Sequence, residues 1–133
     1  MTKKNYHFLK IVERIAERSE MRHKMAAMVV HKNTILSVGY NRQMGTELDK
    51  SPTGMLSYNG GSYSIHAEID ALNKALKIYP EMRVLNNKLS LYVARKGWRL
   101  ARPCPDCQNM LKRYDIQEVY FTNGEQNVLQ DMF

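Results

Sequence analysis

The only two cysteines of this chain, Cys104 and Cys107, stand three residues apart, with Pro103 before the pair and Pro105 inside it. A pair this close cannot tie distant parts of a fold together. A disulfide framework needs more cysteines, spread along the chain. Proline is favoured at the first helical position, so Pro105 predicts a helix running to about Tyr114. The two cysteines then occupy positions i and i+3 on one helical face, about 5–6 Å apart at Cβ. A helix N-terminus favours the thiolate form. Such a pair points to metal or redox chemistry rather than to stapling.

The rest of the chain bounds the setting for that pair. Its 133 residues suit one domain, residues 1–133, with a single sizeable core. A hydrophobic content of 44% excludes a disordered chain, and seven Gly with four Pro exclude a collagen-like one. No run approaches the roughly 18–20 apolar residues that a membrane helix needs. The basic start, Met1 to His7, is followed by charges at every turn rather than by a secretory apolar stretch. The expectation is a soluble, cytoplasmic protein without membrane contact. The net charge of +7 suits an anionic partner, either a phosphate-bearing small molecule or nucleic acid.

Periodicity gives the elements. Residues 5–22 predict an amphipathic helix with Phe8, Leu9, Val12, Ile15 and Ala16 on one stripe. Met25–Val30 and Thr34–Tyr40 flank a polar turn and predict a hairpin. Residues 41–64 are long and polar, hold Gly45, Pro52, Gly54, Gly60 and Gly61, and read as a loop; Tyr58 to Tyr63 is either a substrate lid or a plain crossing. Residues 66–79 predict a helix stopped by Pro80. Strands follow at Leu89–Ala94 and Ile116–Phe121. Asn123-Gly124 is a turn signal, after which Asn127 to Met132 returns as an antiparallel strand or forms a short helix. Arg95 to Arg102 carries four cations (Arg95, Lys96, Arg99, Arg102) and no acid, and reads by default as a solvated loop. Within it, Trp98 is either a base-stacking platform or an aromatic covering the core edge. The order of elements predicts an α/β fold: a three-layer α/β/α sandwich around a mixed sheet of four to five strands.

His66-Ala67-Glu68 opens the 66–79 helix. One imidazole and two thiolates form a Cys2His set, which is tetrahedral zinc with an open fourth position, the mark of a catalytic site. Water in that position is made acidic by the metal. Glu68 stands two residues past His66, where a carboxylate can pass a proton between water and substrate. The plain alternative for Glu68 is an acid favoured at a helix N-terminus. His66-Ala67-Glu68 and Pro103-Cys104-Pro105-Asp106-Cys107, in that order on those elements, resemble the zinc-dependent cytidine/deoxycytidylate deaminase superfamily and its H-x-E … P-C-x-x-C signature.

The resemblance spans most of the chain. It implies the cytidine deaminase-like fold, with Zn2+ held by His66, Cys104 and Cys107. It implies that Glu68 is the general acid/base of a hydrolytic deamination that releases ammonia. By the same resemblance the backbone at Ala67 reads the base edge, Asn41 in Gly39-Tyr40-Asn41 holds sugar or base, and Phe121 lies beside the base. Arg102 precedes Pro103 where many relatives carry Ser or Glu, and it joins these as a candidate substrate contact. Family members often assemble through the faces carrying the site helices, so a homo-oligomer is expected. An antiparallel last strand goes with enzymes of free nucleosides, and a parallel one with polynucleotide deaminases. The first reading is therefore a zinc-dependent deaminase of cytosine in a nucleoside or nucleotide. One alternative acts on cytosine or adenine bases in single-stranded DNA or RNA; another, of a different class, is a non-catalytic zinc-stabilised binding module.

Overall fold

The computed structural model describes residues 2–44, 57–59, 62–83, 89–124 and 128–132. Helix α1 spans Lys3–Ile15, where the Thr2 side chain caps it by accepting from the Asn5 amide at 3.1 Å. The helical pattern of the sequence runs on to residue 22, yet the helix tightens into a single 3-10 turn at Ala16–Arg18 and stops. Ser19 ends it. Its backbone is extended, and its hydroxyl donates to the Asn41 side chain at 2.6 Å. A tertiary hydrogen bond has overridden local helix propensity.

Strands β1 (Met25–His31) and β2 (Thr34–Tyr40) form the expected hairpin. Lys32 and Asn33 both take positive φ, 45° and 72°, as a two-residue turn matched to strand twist requires. The stretch read as a loop holds three short strands among its described residues: β3 (Arg42–Met44), β4 (Ser57–Asn59) and β5 (Ser62–Ile65). They pair antiparallel in the order β3-β5-β4, apart from the main sheet. Their runs, such as Ser57-Tyr58-Asn59, lack the apolar alternation by which a strand is recognised. Residues 45–56 and 60–61, the latter being the Gly pair of the candidate lid, lie outside the described residues.

Helix α2 (Ala67–Ile78), β6 (Leu89–Arg95), α3 (Pro105–Arg113), β7 (Ile116–Thr122) and β8 (Val128–Met132) complete the chain. The main sheet has the order β2-β1-β6-β7-β8. Its one parallel pair is β6–β7, joined across α3, and β8 returns antiparallel to β7. This is a mixed sheet, as the sequence reading of four to five strands expects, and the last residues form its fifth strand rather than a helix.

Side chains alternate across the sheet, and the two faces build two cores. Ala26, Met28, Val30, Tyr92, Ala94 and Tyr120 meet Phe8, Leu9, Val12 and Ala16 of the α1 segment. Ala27, Val29, Leu91, Val93, Val119 and Phe121 face α2 and α3 instead. No helix among the described residues is long and apolar enough to cross a membrane.

Helix α2 lies very close to the sheet. Its buried stripe, Ala67, Ala71 and Ala75, recurs every four residues and carries only methyl groups. Opposite stands Gly39 of β2, where an added Cβ would lie 2.2 Å from the Ala71 amide nitrogen and 2.7 Å from the Ala67 carbonyl oxygen. The Ser37 hydroxyl donates to the Ala71 carbonyl at 2.6 Å and fixes the same contact. A Gly39→Ala change therefore pushes backbone against backbone. The expected cost is at least the ~1–3 kcal/mol typical of overpacking, read as a lowered urea midpoint at unchanged slope.

Candidate metal centre

Helices α2 and α3 begin beside each other, and both of their N-cap residues carry ligand atoms. His66 caps α2 with extended backbone and no side-chain cap bond, which leaves its ring for other partners. Cys104 caps α3, Pro105 starts it and Cys107 ends its first turn. Ring nitrogen Nδ1 of His66 lies 3.2 Å from Cys107 Sγ and 3.8 Å from Cys104 Sγ. The ligand atoms of all three residues lie within 4.8 Å of one another. One metal ion can reach all three. The Gln108 side chain donates to the Pro103 carbonyl at 2.8 Å and holds the turn that presents Cys104. Ile65 and Ile69 pack with Cys107, forming an apolar wall behind the sulfurs.

Glu68, in the first turn of α2, is only 2% exposed, and its Oε1 has no hydrogen-bond partner among the described residues. A buried carboxylate oxygen without a partner costs free energy, so its place needs a reason. Burial raises the Glu68 carboxyl above its ordinary range, opposed by smaller contributions that include the charge of His66. Burial also pushes the Cys107 thiol up, reinforced by Glu68 and Cys104 facing it. The sequence reading favours thiolates from the helix N-terminus alone; at Cys107 burial acts in the opposite direction. A dication among these three groups reverses the balance, because a coordinating thiol is deprotonated outright. The donor set of one imidazole and two sulfurs, with a carboxylate at its side, fits zinc.

The other candidates occupy different surroundings. Ala67 is buried at the start of α2, with its carbonyl facing Gly39. The Asn41 side chain turns to the segment before β1: its oxygen accepts from Ser19 Oγ at 2.6 Å and from the Met25 amide at 3.0 Å, and its nitrogen donates to the His23 carbonyl. Arg102 is exposed, with its guanidinium 5.9 Å from the centre of the Phe121 ring. Phe121 is itself buried in the core beneath α2 and α3. The structure thus joins Arg102 to Phe121 and ties Asn41 to residues 19–25, while the three ligands and Glu68 form a cluster of their own.

Asp70 is the residue that sequence reasoning left without a role. It is 1% exposed, one turn into α2, yet it carries four contacts. Its carboxylate accepts from the Tyr40 amide at 2.9 Å, pairs with Lys74 at 2.9 Å, and receives Arg42 Nε and Nη2 at 3.2 and 3.0 Å. These bonds fasten the helix bearing His66 and Glu68 to the end of β2 and to β3. The i, i+4 spacing of Asp70 and Lys74 was the only local signal for it.

The profile described as "Cytidine and deoxycytidylate deaminase zinc-binding region" matches residues 2–123. No curated protein matches the chain. Among solved structures, dCMP deaminase from the cyanophage S-TIM5 in complex with dCMP and dUMP superposes with a TM-score of 0.58 at 23% identity, covering 91% of this chain and 82% of that one. The apo form of the same phage protein gives 0.54 at 21% identity, covering 92% and 86%.

Replacing Cys107 with Ala should cut bound zinc to under about a tenth of the wild-type content by elemental analysis, since outright loss of a ligand exceeds the 10–100-fold cost of losing a supporting contact. Replacing exposed Asp106 with Ala in the same turn should leave zinc unchanged. A second test concerns chelator-treated protein. The Glu68 carboxyl is raised in the folded state, so folding favours its protonated form. That contribution is fully present below the ordinary carboxylate range and is lost as pH rises through the folded value. Glu68→Gln does not titrate, so its thermal midpoint should gain on the wild type between pH 5 and pH 8.

Proposed function

The chain belongs to the cytidine and deoxycytidylate deaminase family, and from that premise we propose that it removes the amino group of cytosine in a free nucleoside or nucleotide by zinc-dependent hydrolysis. The observation that carries this reading is the buried, unpartnered Oε1 of Glu68, two residues from His66 in the cluster with Cys104 and Cys107. A purely structural zinc module has no use for such a carboxylate, which only costs it stability.

His66, Cys104 and Cys107 would hold the zinc. When bound, zinc supplies the Lewis acidity that lets water attack carbon near neutral pH. Glu68 does the proton work. It takes a proton from the attacking water and delivers it to the ring nitrogen N3, which makes the amine-bearing carbon electrophilic. It then takes the proton of the hydroxyl now on that carbon and passes it to the departing nitrogen, so that the carbonyl forms as ammonia leaves. The raised affinity of Glu68 for protons suits a group that must both take and give one. The apolar wall of Ile65 and Ile69 excludes bulk water from the exchange.

Ala67, Asn41, Arg102 and Phe121 complete the proposal as substrate contacts. Asn41 lines a cleft of about 410 Å³ together with Tyr40 and Arg42, where its second amide N–H is available to a sugar or base. A free nucleoside or nucleotide is preferred over a polynucleotide because β8 runs antiparallel to β7. The nucleotide form is further supported by the phage relative of similar fold, which is described in complex with dCMP and dUMP. A homo-oligomer belongs to the same proposal, since Ile78 and Leu100 leave apolar side chains on the surface.

Glu68→Gln should lower turnover by about 10²–10⁴-fold with zinc content intact, measured as ammonia release. Unchanged turnover in that variant would mean that the carboxylate is not the proton carrier. Cytidine, its monophosphates and a cytosine-containing oligonucleotide should be compared in the same assay. Reaction of the oligonucleotide alone would overturn the preferred substrate class.

A further inference from the structure

A cleft of about 510 Å³ opens between the segment before β1 and the segment after β6. Six basic residues line it: Arg22, His23 and Lys24 from the first segment, Arg95 at the end of β6, and Lys96 and Arg99 from the second. The remaining lining residue is Gly97, and no acid takes part. We infer that this cleft is a binding site for linked phosphate groups, such as a triphosphate or the backbone of an oligonucleotide.

The two walls are built rather than merely close. The Lys96 amide donates to the Lys24 carbonyl at 2.9 Å, and Met25 faces Arg95 in the β1–β6 ladder. The turn that carries Lys96 is sharp, with Gly97 at φ 80° and Trp98 at φ 60°. Two bonds from outside the turn hold it: the Gly97 amide donates to Glu13 of α1 at 3.0 Å, and the Gly124 amide donates to the Trp98 carbonyl at 2.6 Å. Arg99 then returns against Arg95 through a backbone bridge. The chain fixes its cations side by side, although like charges repel.

Neutralisation is incomplete. Glu17 pairs with both Lys24 and Lys96. The Arg95 guanidinium meets the His23 ring at 2.6 Å, a partner that adds no negative charge. Among the described residues, Arg22 and Arg99 have no carboxylate partner. Five formal positive charges therefore stand against two nearby acids, Glu17 in ion pairs and Glu13 on the Gly97 amide. That surplus exceeds what one phosphate group carries and suits a run of them, because guanidinium forks grip phosphate oxygens in pairs. Trp98 does not offer itself as a stacking platform. Its ring stacks on Tyr6 of α1, with centroids 5.6 Å apart and planes at 18°, so recognition here is of charge and not of bases.

The inference goes beyond the deamination reading, and its test involves no turnover. Zinc-loaded protein is titrated by calorimetry with inorganic triphosphate, with orthophosphate and with an oligothymidylate that contains no cytosine, at 50 and 200 mM salt. Triphosphate or oligothymidylate should bind at least tenfold tighter than orthophosphate, with affinity falling as salt rises. Tighter binding of triphosphate marks a small ligand, and tighter binding of oligothymidylate marks a polynucleotide. The double variant Arg22→Gln/Arg99→Gln changes two exposed side chains and should weaken binding tenfold or more. If oligothymidylate is the ligand, its salt slope should also fall by about 1.4. A control, Lys4→Gln/Lys32→Gln, removes equal charge beside a different cavity and should weaken binding less than twofold. Thermal midpoints of both variants are compared with the wild type, so that a loss is credited to the cleft only in folded protein. Equal losses in the two folded variants, orthophosphate binding as tightly as triphosphate, or no binding at 50 mM salt would overturn the inference.

Discussion

The meeting of two helix N-termini is the constraint on which the site depends. An imidazole from one cap and two sulfurs from the first turn of the other must come within a few ångströms, and neither helix can place them alone. The sheet does the placing. β6 and β7 are parallel neighbours, and α3 is the crossover between them, so the start of α3 falls at the C-terminal end of β6. Open α/β sheets bind their ligands at that end of their strands. Helix α2 covers the same face and brings His66 and Glu68 to it.

Helix α2 is positioned by contacts that have little to do with helix formation. Gly39 admits the helix backbone, the alanine stripe lets it settle, and Ser37 bonds its Ala71 carbonyl. Asp70 then anchors it to Tyr40 and Arg42 from within the protein. A buried carboxylate with two cations and a backbone amide is well compensated, whereas loss of a partner would strand a charge. Glu68 is the opposite case, a buried carboxylate two residues earlier with one oxygen, Oε1, left without a hydrogen-bond partner among the described residues. The pair shows how one helix turn can hold both a compensated carboxylate and one with an unpaired oxygen, since positions two apart face different neighbours. Arg42 also links the anchor to the small β3-β5-β4 sheet, and β5 ends directly before His66.

Charge is divided between the two sides of α1 and its surroundings. Glu13 and Glu17 reach the turn after β6 and hold it, while the cations of that turn and of residues 22–24 face outward. The net charge of +7 is thus partly concentrated in one place. It is concentrated at the end of the sheet where β6 stops, the end at which α3 begins.

Much of this was legible in the residues. Phe8, Leu9, Val12 and Ala16 recur at helical spacing, and the apolar runs of β1, β2, β6 and β7 have strand length; period and length are local properties that burial enforces. That Cys104 and Cys107 share one helical face was legible because Pro105 marks a helix start and i, i+3 spacing dictates it. Other features were not legible, because they depend on partners remote in sequence. Ser19 stops α1 through Asn41, and Asp70 becomes an anchor only once β2 and β3 are beside it. The strands β3 to β5 carry no apolar alternation, and the cations after β6 gather into a cleft only because β1 runs alongside. What the sequence alone determined is the chemistry: which side chains can bind a metal and which layers they ride on, since residue type and periodicity are written locally. What only the tertiary structure decided is which groups meet, and hence which carboxylate is paired throughout and which keeps one oxygen unpaired, because hydrogen bonds and desolvation depend on neighbours that the order of residues does not reveal.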